Sequence, residues 1–299
     1  MIHQPIYKPK ARAGEYGDLA INIYRGCSHG CDYCFAPGVL RMTREAFADI
    51  RLRNNIVKSA ERQLKREGIT GKLIHLCFTC DPYPANFDTT PTREIIELLK
   101  QSGNFVQILT KGGLRAERDF DLLGDGDWIG ATITGGGVTP HSYEPNAAPH
   151  LERLAMLKSA HERGINTWVS CEPVFDPQTV FTLIESCNYI DLYRIGKLNH
   201  RKSYVPLSWA VFGAKCVDLC KKHNRNFYIK DDLRNEMAKG GKIDFSDCPY
   251  WSDEKCLGFN CCTERYCPHA RESQPMLFEY CDKERKELPD EIKNHIGNF

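Results

Sequence analysis

"RGCSHGCDYC", residues 25–34, places Cys27, Cys31 and Cys34 within eight positions, with Gly30 among them and Gly26 just before. On an ideal helix the three thiols would share one face, so a helical stripe is one reading of the spacing. Gly26, Gly30 and Pro37 instead punctuate the segment as a loop at the end of an apolar run. A zinc site closed by a remote fourth ligand is a second reading, but such sites draw their ligands in closely spaced pairs. A third is a 4Fe–4S cluster, in which three thiolates hold three irons and leave the fourth open to substrate or cofactor. Glycines let backbone amides approach sulfur, where N–H···S bonds tune a cluster's potential.

The surrounding chain has 299 residues, 41% hydrophobic and 26% charged, which is ordinary for a soluble globular protein with a full core. No apolar run approaches the ~20 residues that span a bilayer, so no membrane partner is expected. The opening MIHQPIYKPKARAGEYG lacks the apolar core of a signal peptide, and a cytoplasmic location is expected. In that reducing compartment the 15 cysteines point to metal ligands before disulfides. A formal net charge of +1 makes no global case for nucleic acid. Residues 41–66 carry eight Lys/Arg against three Asp/Glu, read either as a solvated helix face or as a nucleic-acid contact.

Strand-like runs recur at 19–26, 73–80, 105–111, 128–134, 165–171 and 190–196, with a weaker one at 227–230. Helix punctuation lies between them. Thr43 caps an amphipathic stretch ending at Gly68; Thr90-Pro91 opens one that stops at Gly103; Pro149 opens another, carrying Leu151, Leu154 and Leu157, that ends at Gly164; Pro177 and Pro206 open two more. Six strand–helix alternations imply a parallel α/β sheet, open or curved into a barrel, with ligands gathered at the carboxyl ends of its strands. Those ends carry Arg25, Thr79, Asp81, Lys111, Thr134, Glu172 and Arg194. The expected division is an N-terminal arm (1–18), a barrel (19–232) and a cysteine-rich C-terminal region (233–299).

C-x3-C-x2-C with an aromatic before the last cysteine, Tyr33, resembles the signature of the radical S-adenosylmethionine (radical SAM) enzymes. The wider context NIYRGCSHGCDYCFAPG is similar to the spore photoproduct lyase-related branch. The likeness continues through TCDPYPANF (79–87), TREIIELLKQSG (92–103), ILTKGGLRAERDFDLL (108–123) and EPNAAPHLERLAMLKSAHERGI (144–165). It implies a partial (β/α)6 barrel in which Cys27, Cys31 and Cys34 hold a 4Fe–4S cluster and SAM chelates the fourth iron. One electron, from a reductant such as flavodoxin or ferredoxin, then cleaves SAM to a 5′-deoxyadenosyl radical that abstracts a hydrogen atom from substrate.

The resemblance also places Tyr33 beside the adenine, and Thr79 and Asp81 at the methionine amino group. Thr132, Thr134, Glu172 and Arg194 are ribose or carboxylate candidates, and Lys111 a carboxylate or phosphate candidate; each competes with an ordinary role lining the mouth. Cys80, Cys171 and Tyr83 are candidates for hydrogen donation, against the default of buried, inert side chains.

CPYWSDEKCLGFNCCTERYCPH (248–269) packs five cysteines and a histidine into a stretch with little core to bury them. A second 4Fe–4S cluster or a zinc site is expected there, with Cys256, Cys261, Cys262 and Cys267 as ligands and Cys248, Cys281 and His269 in reserve. Two substrate classes follow. One is a nucleic-acid lesion or modified base; the other is a peptide, protein or small molecule engaged through the C-terminal metal. A zinc-binding interaction protein without catalysis is the distant third reading.

Overall fold

The computed structural model describes residues 4–135, 143–199 and 208–239, together with the backbone of two short paired strands, Trp251–Ser252 and Lys255–Cys256. The cysteines at 248, 261, 262, 267 and 281 lie outside the described residues, and of Cys256 only the backbone is within them. The architecture is mixed α/β, on a mostly parallel, unclosed sheet of eight strands, as the strand–helix alternation predicts. Among the described residues no helix is long and apolar enough to cross a membrane.

Two compact units divide the described chain: 4–132 with 143–168, and 133–135 with 169–199 and 208–239. In the first, β1 (Ile6–Tyr7) leads to β2 (Leu19–Ile21) and β3 (Tyr24–Arg25). The cysteine loop and two short helices follow, α1 (Ala36–Leu40) and α2 (Arg44–Ala48). Then come β4 (Arg51–Leu52), α3 (Ile56–Glu67), β5 (Leu73–Leu76), α4 (Thr90–Gln101) and β6 (Phe105–Thr110). A 3-10 segment (Gly113–Leu122), β7 (Trp128–Thr132) and α5 (His150–Glu162) complete it. Strands β2, β5, β6 and β7 pair in parallel in that order, with β1 antiparallel on the outer edge of β2.

The helices form where the sequence supplies stripe and stop. In α4, Thr92, Ile95, Ile96 and Leu99 make the buried i, i+3, i+4, i+7 face, and Pro91 sits in the first turn, where its missing N–H costs nothing. In α3 the buried face is Ile56, Ala60, Gln63 and Leu64, and Gly68 caps the helix in the left-handed conformation. Gln63 explains the unpredicted β1: its amide accepts from the Ile6 N–H at 2.9 Å and donates to the Ile6 carbonyl at 2.8 Å, covering an edge that would otherwise stay open.

The stretch from Thr43 to Gly68 is two helices, not one. Thr43 caps α2 by accepting from the Ala46 amide, but the chain then extends so that Arg51–Leu52 pairs with Tyr24–Arg25. Tertiary pairing overrides a local helical pattern there.

β8 (Asn166–Cys171) begins in the first unit and ends in the second, which then holds α6 (Pro177–Ser186), β9 (Leu192–Ile195), α7 (Trp209–Lys222), β10 (Phe227–Ile229) and α8 (Asp231–Lys239). Asp176 and Ser208 cap α6 and α7 with their side chains. The expected boundary at residue 233 falls inside α8.

Candidate functional site

The three cysteines lie on the loop between β3 and α1 and face a cavity of about 70 Å³. Cys27, His29, Gly30, Cys31, Cys34, Pro37, Arg44, Phe47 and Ala48 line it. The loop's path depends on Gly26, whose φ is +99°; a Cβ there would stand 2.5 Å from the Phe47 carbonyl oxygen. That closeness lets the Cys27 amide donate to the same carbonyl at 2.8 Å. Arg44 holds the other side, donating to the Cys31 carbonyl at 2.9 Å and the Asp32 carbonyl at 2.5 Å. A groove of about 520 Å³ runs beside the loop, lined by Ser28, Asp49, Asn86, Phe87 and Asn146 among others.

Burial pushes the Cys31 thiol up to about 11, and burial with the nearby Asp81 charge pushes Cys27 well above its ordinary value. Among the described residues no three His, Cys, Asp or Glu side chains converge on a single ion. Thiolates bound to separate irons need no such convergence. Three cysteines on one glycine-shaped loop, facing one cavity and otherwise unpaired by disulfides, fit a 4Fe–4S cluster.

Two buried carboxylates fix this loop to the sheet. Asp81, after β5, accepts from the Tyr83 amide at 2.8 Å, the Thr110 hydroxyl at 2.6 Å and the Lys111 amide at 2.9 Å. His29 Nε2 stands 3.1 Å from its remaining face, an ion-pair distance. Burial alone would raise the Asp81 carboxyl; the His29 charge and the hydrogen bonds from His29, Thr110 and the Lys111 amide outweigh it and hold the group below the usual carboxylate range.

Glu144 is the second. It accepts the Tyr33 hydroxyl on one oxygen and pairs with Arg153 at 2.5 Å on the other. Arg153, 1% exposed, also donates to the carbonyls of Thr132 and Ala148, both at 2.8 Å. Burial would raise Glu144, but Arg153, His150 and Lys111 hold it well below its ordinary value. The Lys111 ammonium stands 5.7 Å from the Tyr33 ring centre.

The sequence-based candidates therefore separate. Cys27, Cys31, Cys34, Tyr33, Asp81 and Lys111 come together around the loop. Thr79 lies nearby in chain order; its hydroxyl oxygen is buried and has no hydrogen-bond partner among the described residues, whereas the lone pairs of Asp81 are taken up within the protein. Tyr83 is fully buried and donates to Asp119 at 3.0 Å. Cys80 is half-buried next to buried Cys77.

In the second unit Glu172 binds Lys230 and accepts from Asn199 at 3.0 Å, Arg194 lies over the Tyr228 ring at 5.6 Å, and Thr134 and Cys171 are buried. Burial raises the Cys171 thiol far above its ordinary value. Thr132, at the end of β7, is buried and offers its carbonyl to Arg153.

Sequence reasoning missed His29, Thr110, Glu144 and Arg153 as site residues. His29 was visible between Cys27 and Cys31, though with no role assigned to it, and Arg153 left a trace as a cation set against Leu151 and Leu154 in α5.

No family model matches the chain. An uncharacterised protein of Acidianus two-tailed virus is 27% identical over 202 residues, which is 60% of this chain and 66% of its own length. Uncharacterised proteins of Mycobacterium tuberculosis and Methanocaldococcus jannaschii are each 27% identical, over 53% and 57% of this chain and 50% and 64% of their own. The chain thus spans between half and two thirds of the length of these curated relatives.

Among solved structures, a spore photoproduct lyase mutant with bound AdoMet and dinucleoside spore photoproduct matches with a TM-score of 0.55 at 15% identity. That match covers 72% of this chain and 76% of the other. Streptococcus suis SuiB bound to S-adenosylmethionine matches with a TM-score of 0.52 at 15% identity, over 76% of this chain and 51% of the other. The chain shares its fold with these structures. In that fold the cysteine loop, the end of β5 and the Glu144 segment share one mouth of the first unit, where the hydrogen bonds above join them.

Proposed function

We propose that the chain is a radical SAM enzyme, with Cys27, Cys31 and Cys34 holding a 4Fe–4S cluster that binds SAM at its open iron. When bound, cluster and SAM supply a 5′-deoxyadenosyl radical for hydrogen abstraction from substrate. The observation that carries the reading is the loop itself, three free cysteines lining one cavity on a path shaped by Gly26. The chain's own work is positioning. Asp81 and His29 tie the loop to β5 and β6, and Glu144 with Arg153 ties Tyr33 to the end of β7. The unpaired Thr79 hydroxyl is the group left to bind SAM; Asp81, expected beside it, acts instead on the loop.

A nucleic-acid lesion is the substrate class favoured by the likeness to a lyase bound to dinucleoside spore photoproduct. The second class, a peptide, is favoured by the comparable likeness to SuiB bound to precursor peptide SuiA.

The test is anaerobic reconstitution with iron and sulfide, then addition of SAM and dithionite. The expected product is 5′-deoxyadenosine, abolished when Cys27, Cys31 and Cys34 are all changed to Ala while circular dichroism stays unchanged. Turnover retained in that variant would refute the reading. Stimulation by a spore photoproduct dinucleotide or by peptide then separates the two substrate classes.

A further inference from the structure

Two cysteines of the first unit stand three positions apart just beyond β5, in the run CFTC (77–80). C-x-x-C is the spacing of dithiols that open and close as disulfides, because one bend of the chain brings the two sulfurs together. The backbone bends here. Cys77 sits at a φ of +70°, in the left-handed region that few side chains enter, and residues 78–80 curve after it. The bend is pinned at three points. The Cys77 amide donates to the Ile21 carbonyl at 2.8 Å, and the Thr79 amide to the Asn22 side-chain oxygen at 2.9 Å. Asp81, next to Cys80, accepts from Tyr83, Thr110 and Lys111 as described above. Asn22 is itself held, donating to the Tyr7 hydroxyl at 2.7 Å.

Both thiols share one environment. A side-chain hydrogen bond links Cys77 to Cys80, and the phenols of Tyr7 and Tyr24 each respond to the charge of both cysteines. They differ in access: Cys77 is 6% exposed, whereas Cys80 is half-buried. Burial keeps the Cys77 proton in place, and the hydrogen bond and charge of Cys80 add to it. Once Cys80 is capped its charge is gone, and with it part of what holds that proton. This is the division between an attacking and a resolving thiol. Cys216 and Cys220, one turn apart on α7, are both 0% exposed and offer no accessible member.

We propose that Cys77 and Cys80 form a redox-active pair that closes reversibly to a disulfide against an oxidised low-molecular-weight thiol of the glutathione class. The Cys80 thiolate attacks one sulfur of oxidised glutathione, making a mixed disulfide and expelling one glutathione thiolate. Cys77 then gives up its proton, and its sulfur attacks that of Cys80. The Cys77–Cys80 bond closes and the second glutathione thiolate leaves. Two protein thiols are oxidised, one disulfide is reduced to two thiols, and the two protons the pair has lost end on glutathione. Only Phe78 and Thr79 lie inside the closed ring. Resting on the radical SAM reading, a second consequence follows: closure turns the Thr79 hydroxyl away from SAM and couples SAM affinity to the thiol balance of the surroundings.

Trypsin cuts after Lys72 and Arg93, and the peptide 73–93 holds these two cysteines and no other. The test equilibrates the reconstituted full chain with mixtures of reduced and oxidised glutathione, alkylates it and maps that peptide by mass spectrometry. SAM binding is titrated in the same mixtures without dithionite. The wild-type peptide is expected to gain an internal disulfide as the oxidised share rises, and to lose it with dithiothreitol. Cys77→Ser should stall with glutathione on Cys80, and Cys80→Ser should show neither adduct nor disulfide. Closure should weaken SAM binding roughly tenfold, the scale of one lost hydrogen bond, whereas Cys80→Ser should bind SAM alike in all mixtures. A peptide that stays dithiol under oxidised glutathione, or an adduct on Cys77 in place of Cys80, would overturn the pair. A disulfide that leaves SAM binding unchanged would overturn its link to Thr79. Absence of SAM binding in the reduced wild type would instead overturn the radical SAM reading, with the peptide map still judging the pair.

Discussion

Asp81 and Glu144 are both buried carboxylates, yet only one could be singled out from the sequence. Asp81 stands in a turn-forming block after a strand, where a polar mouth residue is expected; Glu144 announces nothing until Arg153 and Tyr33 are seen to meet on it. Its partner is confined, since Arg153 is 1% exposed and spends its remaining donors on two carbonyls. Removing one member of such a pair leaves the other charge buried and alone. Arg153→Met is therefore expected to lower the unfolding free energy of the apoprotein by about 3–5 kcal/mol, read by urea denaturation. The pH dependence has a definite sign. The folded Glu144 sits well below its ordinary value, so its contribution is fully present above the unfolded value. It is lost as pH falls through the folded one. The stability gap between wild type and Glu144→Gln should close on acidification, and a gap that widens instead would contradict the assignment.

At the level of elements, much of the sheet was legible because buried parallel strands read as apolar runs, and each expected run contains an observed strand. The helices after Pro149 and at Pro177 were legible because a proline marks each start, with Asp176 capping the second. What was not legible depended on distant chain. The break between α2 and α3 exists because β4 pairs with β3, and β1 exists because Gln63 reaches its backbone. The candidate site divides in the same way: the cysteines follow from spacing, whereas His29 becomes meaningful only 3.1 Å from Asp81. The cysteine loop is also where one atom decides an element. Gly26→Ala would set a Cβ against the Phe47 carbonyl at a φ of +99°, a strain of roughly 1–3 kcal/mol. Reconstituted Gly26→Ala should hold less iron per chain than the wild type, with a weaker charge-transfer band in the visible spectrum. Gly38→Ala, where a Cβ meets nothing within 4 Å, is the control and should load normally.

At the scale of the whole molecule, the question is how many metal centres one chain carries. Three of the 15 cysteines, the proposed cluster ligands, line one cavity of the first unit. Six more, at positions 77, 80, 171, 187, 216 and 220, stand as free thiols, all of them buried except half-buried Cys80. None of these six lines the cavity that Cys27, Cys31 and Cys34 share, and burial is the ordinary state of a packing cysteine. That leaves the six cysteines from Cys248 onward to account for any second centre. If Cys256, Cys261, Cys262 and Cys267 hold a second cluster, anaerobic reconstitution should give about eight irons per chain, falling to about four when these four are changed to Ser. If they hold zinc, iron stays at about four in both proteins and about one zinc is lost in the variant. The triple variant of Cys27, Cys31 and Cys34 gives the complementary count, keeping only the second centre. Because the two sets of cysteines are far apart in the chain and belong to different segments, the two losses should add. An iron count that fell to zero on removing either set alone would mean that one shared centre had been mistaken for two.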